Sequence, residues 1–248
     1  MTLRYSFLMF DTNHTDPLRV LVTGASRGIG RATALAFARA GATVALLARE
    51  SPELGDIVGE IEGHGVSVVA APCDVRDAAA VERAIGDVDR AFGGIDVLVN
   101  NAGGGRWAPF GELTESDWDD MLSLNVTGVV NVTGSVLPLM HREGRGHVIN
   151  IGSIRGLEGA PTMTAYTASK FAVTGLTRAL RQELEGSGIL VSLVSPGGVK
   201  TGFGGIAPDE KEPTWMDPST IADLVVQVAS FRGRGWITEV TIVPEPAS

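Results

Sequence analysis

A phenol and an ammonium stand four positions apart in the segment Tyr-Thr-Ala-Ser-Lys, residues 166 to 170. The chain has only two tyrosines, Tyr5 and Tyr166, and three lysines, Lys170, Lys200 and Lys211. Four positions make about one helical turn, which puts both side chains on one face. A free tyrosine has a pKa of about 10, too high to share a proton readily near neutrality. An adjacent ammonium favours phenolate and is expected to lower that value, so the pair should handle a proton. A second cluster, Thr-Gly-Ala-Ser-Arg-Gly-Ile-Gly (23–30), sets Gly24, Gly28 and Gly30 between a short apolar run and a helical pattern. Glycines there permit a tight turn and close backbone approach to a pyrophosphate, whose charge sits at the helix N-terminus.

Both clusters need a rigid frame. Short apolar runs at 19–23, 43–48, 66–72, 95–100, 146–152, 189–195 and 236–242 predict strands. They are nearly continuous rather than alternating, as in parallel strands covered on both faces. Helical patterns lie between them near 29–40, 52–63, 77–92, 117–142, 165–186 and 218–230, with Asp77 and Ser116 as expected N-caps. This alternation predicts an α/β fold: one doubly wound Rossmann domain, a seven-stranded parallel sheet with helices on both faces. No linker or internal repeat divides the chain. The expected organisation is an extension over 1–17 and one domain over 18–248. The Gly- and Pro-rich stretch near 199–216 is expected to be a substrate lid.

The composition narrows the partners. A net charge of −9 argues against nucleic acid or an anionic membrane, which call for basic surface. One cysteine, Cys73, cannot build a disulfide framework and suits a reducing compartment. No apolar run reaches the roughly 18 residues of a membrane span, and the N-terminal segment lacks the pattern of a secretory leader. A cytoplasmic protein is expected.

The Gly-x-x-x-Gly-x-Gly spacing of the turn resembles that of the short-chain dehydrogenases/reductases, among them the 3-oxoacyl-[acyl-carrier-protein] reductases and the short 3-hydroxy acid dehydrogenases. Further matches follow in order: Cys-Asp-Val (73–75), Asn-Asn-Ala-Gly (100–103), and Pro-Gly-Gly-Val (196–199) followed by Thr201. The likeness covers roughly residues 18 to 243. It implies a nicotinamide dinucleotide cradled by Gly24, Ser26, Arg27, Gly28, Ile29 and Gly30. Asp74 and Val75 would lie by the adenine, Asn101, Ala102 and Gly103 along the centre, and Pro196, Gly197, Val199 and Thr201 near the nicotinamide. No acid occupies position 48 at the end of the second strand, and Arg49 follows it. With Arg27, this favours the 2′-phosphate of NADP(H), while Glu50 keeps NAD(H) open.

Ser153 stands 13 residues before Tyr166, after the fifth strand. The resemblance implies that Ser153, Tyr166, Lys170 and Asn125 are the catalytic set. Ser153 would hold a substrate oxygen, Tyr166 exchange its proton, Lys170 tune Tyr166 and bind the nicotinamide ribose, and Asn125 hold a water leading to Lys170. Hydride addition to a carbonyl leaves negative charge on oxygen, which this set would protonate. The implied activity is an NADP(H)-dependent interconversion of a ketone and a secondary alcohol. The other reading is a catalytically idle NADP(H) sensor or scaffold, which would have no need of an intact set.

Two departures bear on the substrate. Gly152 stands where many family members have a second serine, and the C-terminus lacks the Asp-Gly-Gly ending frequent among acyl-carrier reductases. That favours a small 3-hydroxy acid or alcohol over a 3-oxoacyl carrier. The pocket is expected from 103–109, 154–160 and 199–216. Arg106 and Arg155 are candidates for a substrate carboxylate or phosphate, each equally readable as a loop charge, and Trp107 and Trp215 are binding or packing residues. The resemblance also implies a homodimer or homotetramer, packed through the helices over 117–142 and 165–186.

Overall fold

The structure, a computed structural model, describes residues 17–205, 207, 209, 212, 214–231 and 235–245. The expected extension over 1–17, with Tyr5, lies outside the described residues except at Pro17, and so does part of the expected lid.

The strands are β1 (Arg19–Thr23), β2 (Thr43–Ala48), β3 (Val68–Pro72), β4 (Val97–Asn100), β5 (Gly146–Ile151), β6 (Ile189–Pro196) and β7 (Glu239–Ile242). They form one sheet in the order β3-β2-β1-β4-β5-β6-β7, every neighbouring pair parallel. The helices are α1 (Gly28–Arg39), α2 (Pro52–Glu62), α3 (Ala78–Phe92), α4 (Glu115–Leu122), α5 (Gly128–Glu143), α6 (Thr164–Glu183) and α7 (Pro218–Ser230). This is the doubly wound architecture expected from the alternating pattern.

The two-residue period of each strand sorts its apolar side chains between two cores. Leu21, Leu47, Leu98 and Val148 pack with Val81, Ile85, Val136 and Met140 from α3 and α5. Val22, Leu46, Val99 and Ile149 pack on the other face with Phe37, Ile57, Ile221 and Val225 from α1, α2 and α7. Strand order reverses between β1 and β4, so a crevice opens beyond their carboxyl ends.

Several expected boundaries move. β3, β4 and β7 begin two or three residues later than the apolar runs suggest. The entering residues still bond to the sheet: Val44 N donates to Ser67 O, Asp96 N to Arg19 O, His147 N to Asp96 O and Leu193 N to Thr238 O. The helix expected over 117–142 is interrupted by a π-turn, Ser123–Thr127, between α4 and α5. Its N-cap is Thr114 rather than Ser116. Asp117 N donates to Thr114 Oγ1 at 3.2 Å and Thr114 N donates back to Asp117 Oδ2 at 2.9 Å, a reciprocal box that places Ser116 inside the first turn. Asp77 caps α3 as expected, accepting from Ala80 N.

A buried polar chain runs through the sheet. Asn100 Nδ2 donates to Thr133 Oγ1 of α5 and to Asn150 Oδ1 of β5, both at 2.9 Å, and Asn150 Nδ2 donates to Thr177 Oγ1 of α6 at 2.9 Å. It ties α5 and α6 to β4 and β5. Truncating Asn150→Ala removes two of these bonds and leaves buried partners unsatisfied, a cost of about 2–3 kcal/mol. The expected result is a melting temperature lowered by roughly 5–10 °C, read by circular dichroism. An unchanged midpoint would show that the chain carries no stability.

Candidate active site

The crevice at the strand reversal is a cleft of about 870 Å³. Its floor is the turn between β1 and α1. Gly24 and Gly28 have φ of +62° and +57°, a left-handed backbone that favours glycine. A side chain on Gly30 would put its Cβ 2.3 Å from Gly24 O and 2.4 Å from Asn101 Nδ2. The turn is also stitched to the end of β4. Thr23 Oγ1 accepts from Asn101 N and Ala102 N, both at 2.9 Å, and Asn101 Nδ2 donates to Thr23 O at 2.9 Å.

Of the residues expected at the cofactor, Gly24, Ser26, Arg27, Gly28, Ile29, Arg49, Asp74, Val75, Asn101, Ala102, Gly103, Pro196, Gly197, Val199 and Thr201 all line the cleft, as do Ser153, Tyr166 and Lys170. Gly30 and Asn125 lie behind the lining. Gly30 sits beneath the turn, and Asn125 backs Gly103, where an added Cβ would lie 3.0 Å from its Oδ1.

Arg27, Arg49, Glu50 and Glu53 share the β2 end of the cleft. Asp74 is not a free acceptor. Arg76, which the sequence reading passed over, donates from Nε at 3.0 and 3.1 Å and from Nη2 at 2.6 Å to its carboxylate. These bonds outweigh partial burial and hold the Asp74 carboxyl below the usual range. The only sequence signal was an acid and an arginine two positions apart.

At the other end, α6 presents Tyr166 and Lys170, both buried, beside Ser153 at the end of β5. Ser153 lies close enough to the Tyr166 phenol to act on its proton affinity. Lys170 Nζ donates to Ile151 O at 2.9 Å and lies 5.8 Å from the Tyr166 ring centroid. The expected lowering of Tyr166 by Lys170 does not emerge. Burial pushes the phenol up to about 12 against smaller lowering effects from Ser153 and Arg155, while burial pulls Lys170 down to about 8. Desolvation, which a sequence does not display, prevails over the charge pair.

Asn125 is tied into the site by its amide group. Its Nδ2 donates to Gly104 O at 3.0 Å and Ser169 Oγ at 2.9 Å, and its Oδ1 accepts from Gly104 N at 2.9 Å. Both amide hydrogens are engaged, and the side chain braces the Gly104 loop. Ser169 Oγ in turn donates to Tyr166 O at 2.7 Å. Asn125 and Ser169 thus connect the Gly104 loop to the first turn of α6.

In the expected substrate pocket, Arg106 Nε pairs with Asp117 at 2.9 Å, and Arg155 Nη1 pairs with Glu158 at 3.0 Å. Neither is a free anion receptor. Trp107, Phe203 and Trp215 line the cleft; Phe203, in the glycine-rich stretch, was not singled out from sequence. The described ends of the expected lid are joined, Lys200 N donating to Met216 O and Met216 N to Gly198 O.

A dinucleotide-sized cleft on a glycine turn, with a buried Ser-Tyr-Lys group at its far end, defines a Rossmann-fold oxidoreductase site in form. The comparisons agree. The short chain dehydrogenase family model matches residues 19–211. The 3-oxoacyl-[acyl-carrier-protein] reductase FabG of Thermotoga maritima is 36% identical over 219 residues, covering 85% of this chain and 89% of the relative. Among solved structures, an alcohol dehydrogenase from the archaeon Thermococcus sibiricus, complexed with 5-hydroxy-NADP, superposes with a TM-score of 0.85 at 31% identity, covering 92% of this chain and 96% of that one. A metagenomic short-chain oxidoreductase in complex with NADP gives a TM-score of 0.80 at 33% identity, covering 92% and 98%. The chain belongs to the short-chain dehydrogenase family.

The Gly30 packing yields a direct test. Gly30→Ala should force Gly24 O and Asn101 apart at a cost of about 1–3 kcal/mol, and thermal denaturation should show the loss. A midpoint equal to the parent's would mean that the turn yields freely.

Proposed function

We propose that the protein is an NADP(H)-dependent oxidoreductase that interconverts a ketone and a secondary alcohol, with Tyr166 as proton donor. The observation that carries this reading is the buried Tyr166 phenol, with Ser153 beside it and Lys170 behind it, on the same cleft as the glycine turn.

The residues suit the cofactor. The Gly24–Gly30 turn leaves no room for a side chain at Gly30 and opens onto the N-terminus of α1, as a pyrophosphate requires. Arg27 and Arg49 line the end where a 2′-phosphate would need cations, and the two solved relatives named above carry NADP-type ligands. Pro196, Gly197, Val199 and Thr201 would flank the nicotinamide, and Lys170 its ribose. A nicotinamide cofactor held there would supply hydride chemistry, being oxidised as a ketone is reduced.

The chain's own groups supply the rest. Ser153 Oγ holds the substrate oxygen by a hydrogen bond. Tyr166 Oη gives that oxygen its proton as negative charge develops there. A phenol pushed up to about 12 stays protonated across the neutral range, so a proton is available for reduction. Lys170 keeps a positive charge behind the phenol and so stabilises the phenolate left after transfer. Asn125 and Ser169 fix the start of α6 and hence the phenol's position.

A homo-oligomer is also proposed. The helical run Glu115–Glu143 is apolar, yet much of its apolar stretch is not buried within the fold. It leaves Leu122 and Val130 exposed, as α6 leaves Phe171. A symmetric partner would cover them.

Tyr166→Phe should reduce ketone turnover by at least about a thousandfold, within the range lost when a general acid is removed, while NADPH binding by fluorescence is retained. Persistent turnover would sink the mechanism. The pH profile offers an independent check. With free Lys170 near 8, kcat/KM for reduction should be flat below that pH and fall above it as the cation is lost. A profile flat to pH 10 would remove Lys170 from the mechanism.

A further inference from the structure

We infer that Trp107 and Phe203 form a glycine-mounted aromatic clamp over the Tyr166 phenol, and that the clamp selects compact, neutral aryl ketones over carboxylate-bearing or pantetheine-linked ones. The inference rests on Tyr166 being the proton donor and names the substrate class of that same site.

Three rings meet at the mouth. Trp107 stands edge-on to Tyr166, with centroids 5.1 Å apart and planes at 77°. Phe203 lies 5.5 Å from Tyr166 at 59° and 6.0 Å from Trp107 at 49°. Tyr166 is only 8% exposed, whereas Trp107 and Phe203 are half-buried. A substrate reaching the phenol must therefore pass or displace these two rings. An aryl group can replace ring–ring contacts with contacts of the same geometry, which an aliphatic group of equal size cannot.

Both rings are mounted on glycine. Trp107 follows Gly103, Gly104 and Gly105, and Phe203 stands between Gly202 and Gly204. An added Cβ at Gly105 would lie 2.4 Å from Trp107 Cη2 and 2.8 Å from Phe203 Cε1. At Gly204, with φ of +76°, it would lie 2.4 Å from Trp107 Nε1. The missing side chains are what allow the rings to close.

The cations around the mouth are already engaged. Arg106 and Arg155 are occupied by Asp117 and Glu158, and Arg155 Nη1 also donates to Gly159 O at 3.1 Å. The Lys170 ammonium is buried behind the phenol on Ile151 O. Met163, Leu124 and Trp215 add apolar wall. A carboxylate entering here would lose water without gaining an unengaged cation among these groups.

The test measures NADPH-dependent reduction of acetophenone, cyclohexyl methyl ketone, 4-acetylbenzoate and acetoacetyl-pantetheine by the parent chain, Trp107→Leu and Phe203→Leu. The parent should use acetophenone at least about tenfold better, in kcat/KM, than either the carboxylate or the thioester. It should also prefer acetophenone about threefold over the cyclohexyl ketone. Either substitution should erase the aryl preference mainly through KM. Separately, 1-phenylethanol should quench tryptophan fluorescence in the parent and not in Trp107→Leu. Efficient use of 4-acetylbenzoate or the thioester by the parent overturns the inference and leaves the proton-donor reading intact, as does a preference unmoved in both variants. If no ketone is reduced, the proton-donor reading falls. The quenching experiment then decides the clamp on its own: Trp107-dependent quenching supports it and its absence overturns it. Two variants at separate sites, each checked by thermal unfolding, guard against one that fails to fold.

Discussion

The site hangs on one threonine hydroxyl. Thr23 Oγ1, at the end of β1, accepts two consecutive backbone N–H groups from Asn101 and Ala102 beyond β4. That fixes the glycine turn against the loop that continues to Gly103 and Gly104. Asn125 then grips Gly104 through both its N–H and its C=O, and hands the constraint to Ser169 and so to the backbone of Tyr166. A phosphate-binding turn and a proton donor on different elements are thereby held in one frame. Each link has low solvent access, so each bond is electrostatically stronger than it would be in water and costlier to break.

Burial has opposite consequences at the two ends of the sheet. At the amino ends of β1 and β4, burial alone would raise the Asp96 carboxyl, but Arg19 meets it with a side-chain fork and a backbone N–H, and the carboxyl is held below its ordinary range. That pair is a staple, satisfied on every side. At the carboxyl ends, Tyr166 and Lys170 are buried with fewer partners, and desolvation governs both. The same cost that the staple cancels is left uncancelled where a proton has to move. Functional sites are where such imbalance is expected.

What could be read from sequence was local. The glycine turn, the seven apolar runs and the Tyr166/Lys170 spacing are set by neighbours along the chain, and the structure brings them together as expected. The rest turned on which of several available partners a side chain takes. Ser116 had the right chemistry for a cap, but Thr114 and Asp117 formed the reciprocal pair first in the chain. Arg76 closes on Asp74, and Arg106 and Arg155 find Asp117 and Glu158; no pattern marks which acid a loop arginine will choose. The direction of the Tyr166 shift depends on how deeply the ring is covered, a property of the assembled layers. Phe203 gained meaning only once Trp107 was seen to reach it.

The π-turn at Ser123–Thr127 joins two obligations in one piece of helix. Asn125 lies within it, and the face of α5 carrying Val132, Val136 and Met140 into the core follows directly. The wide turn absorbs one extra residue; closing it to α geometry with that residue retained would rotate everything after it by about 100°. The brace and half of a core face would go out of register together. This stretch therefore depends on keeping its wide turn, which holds the brace and the core face in phase at once.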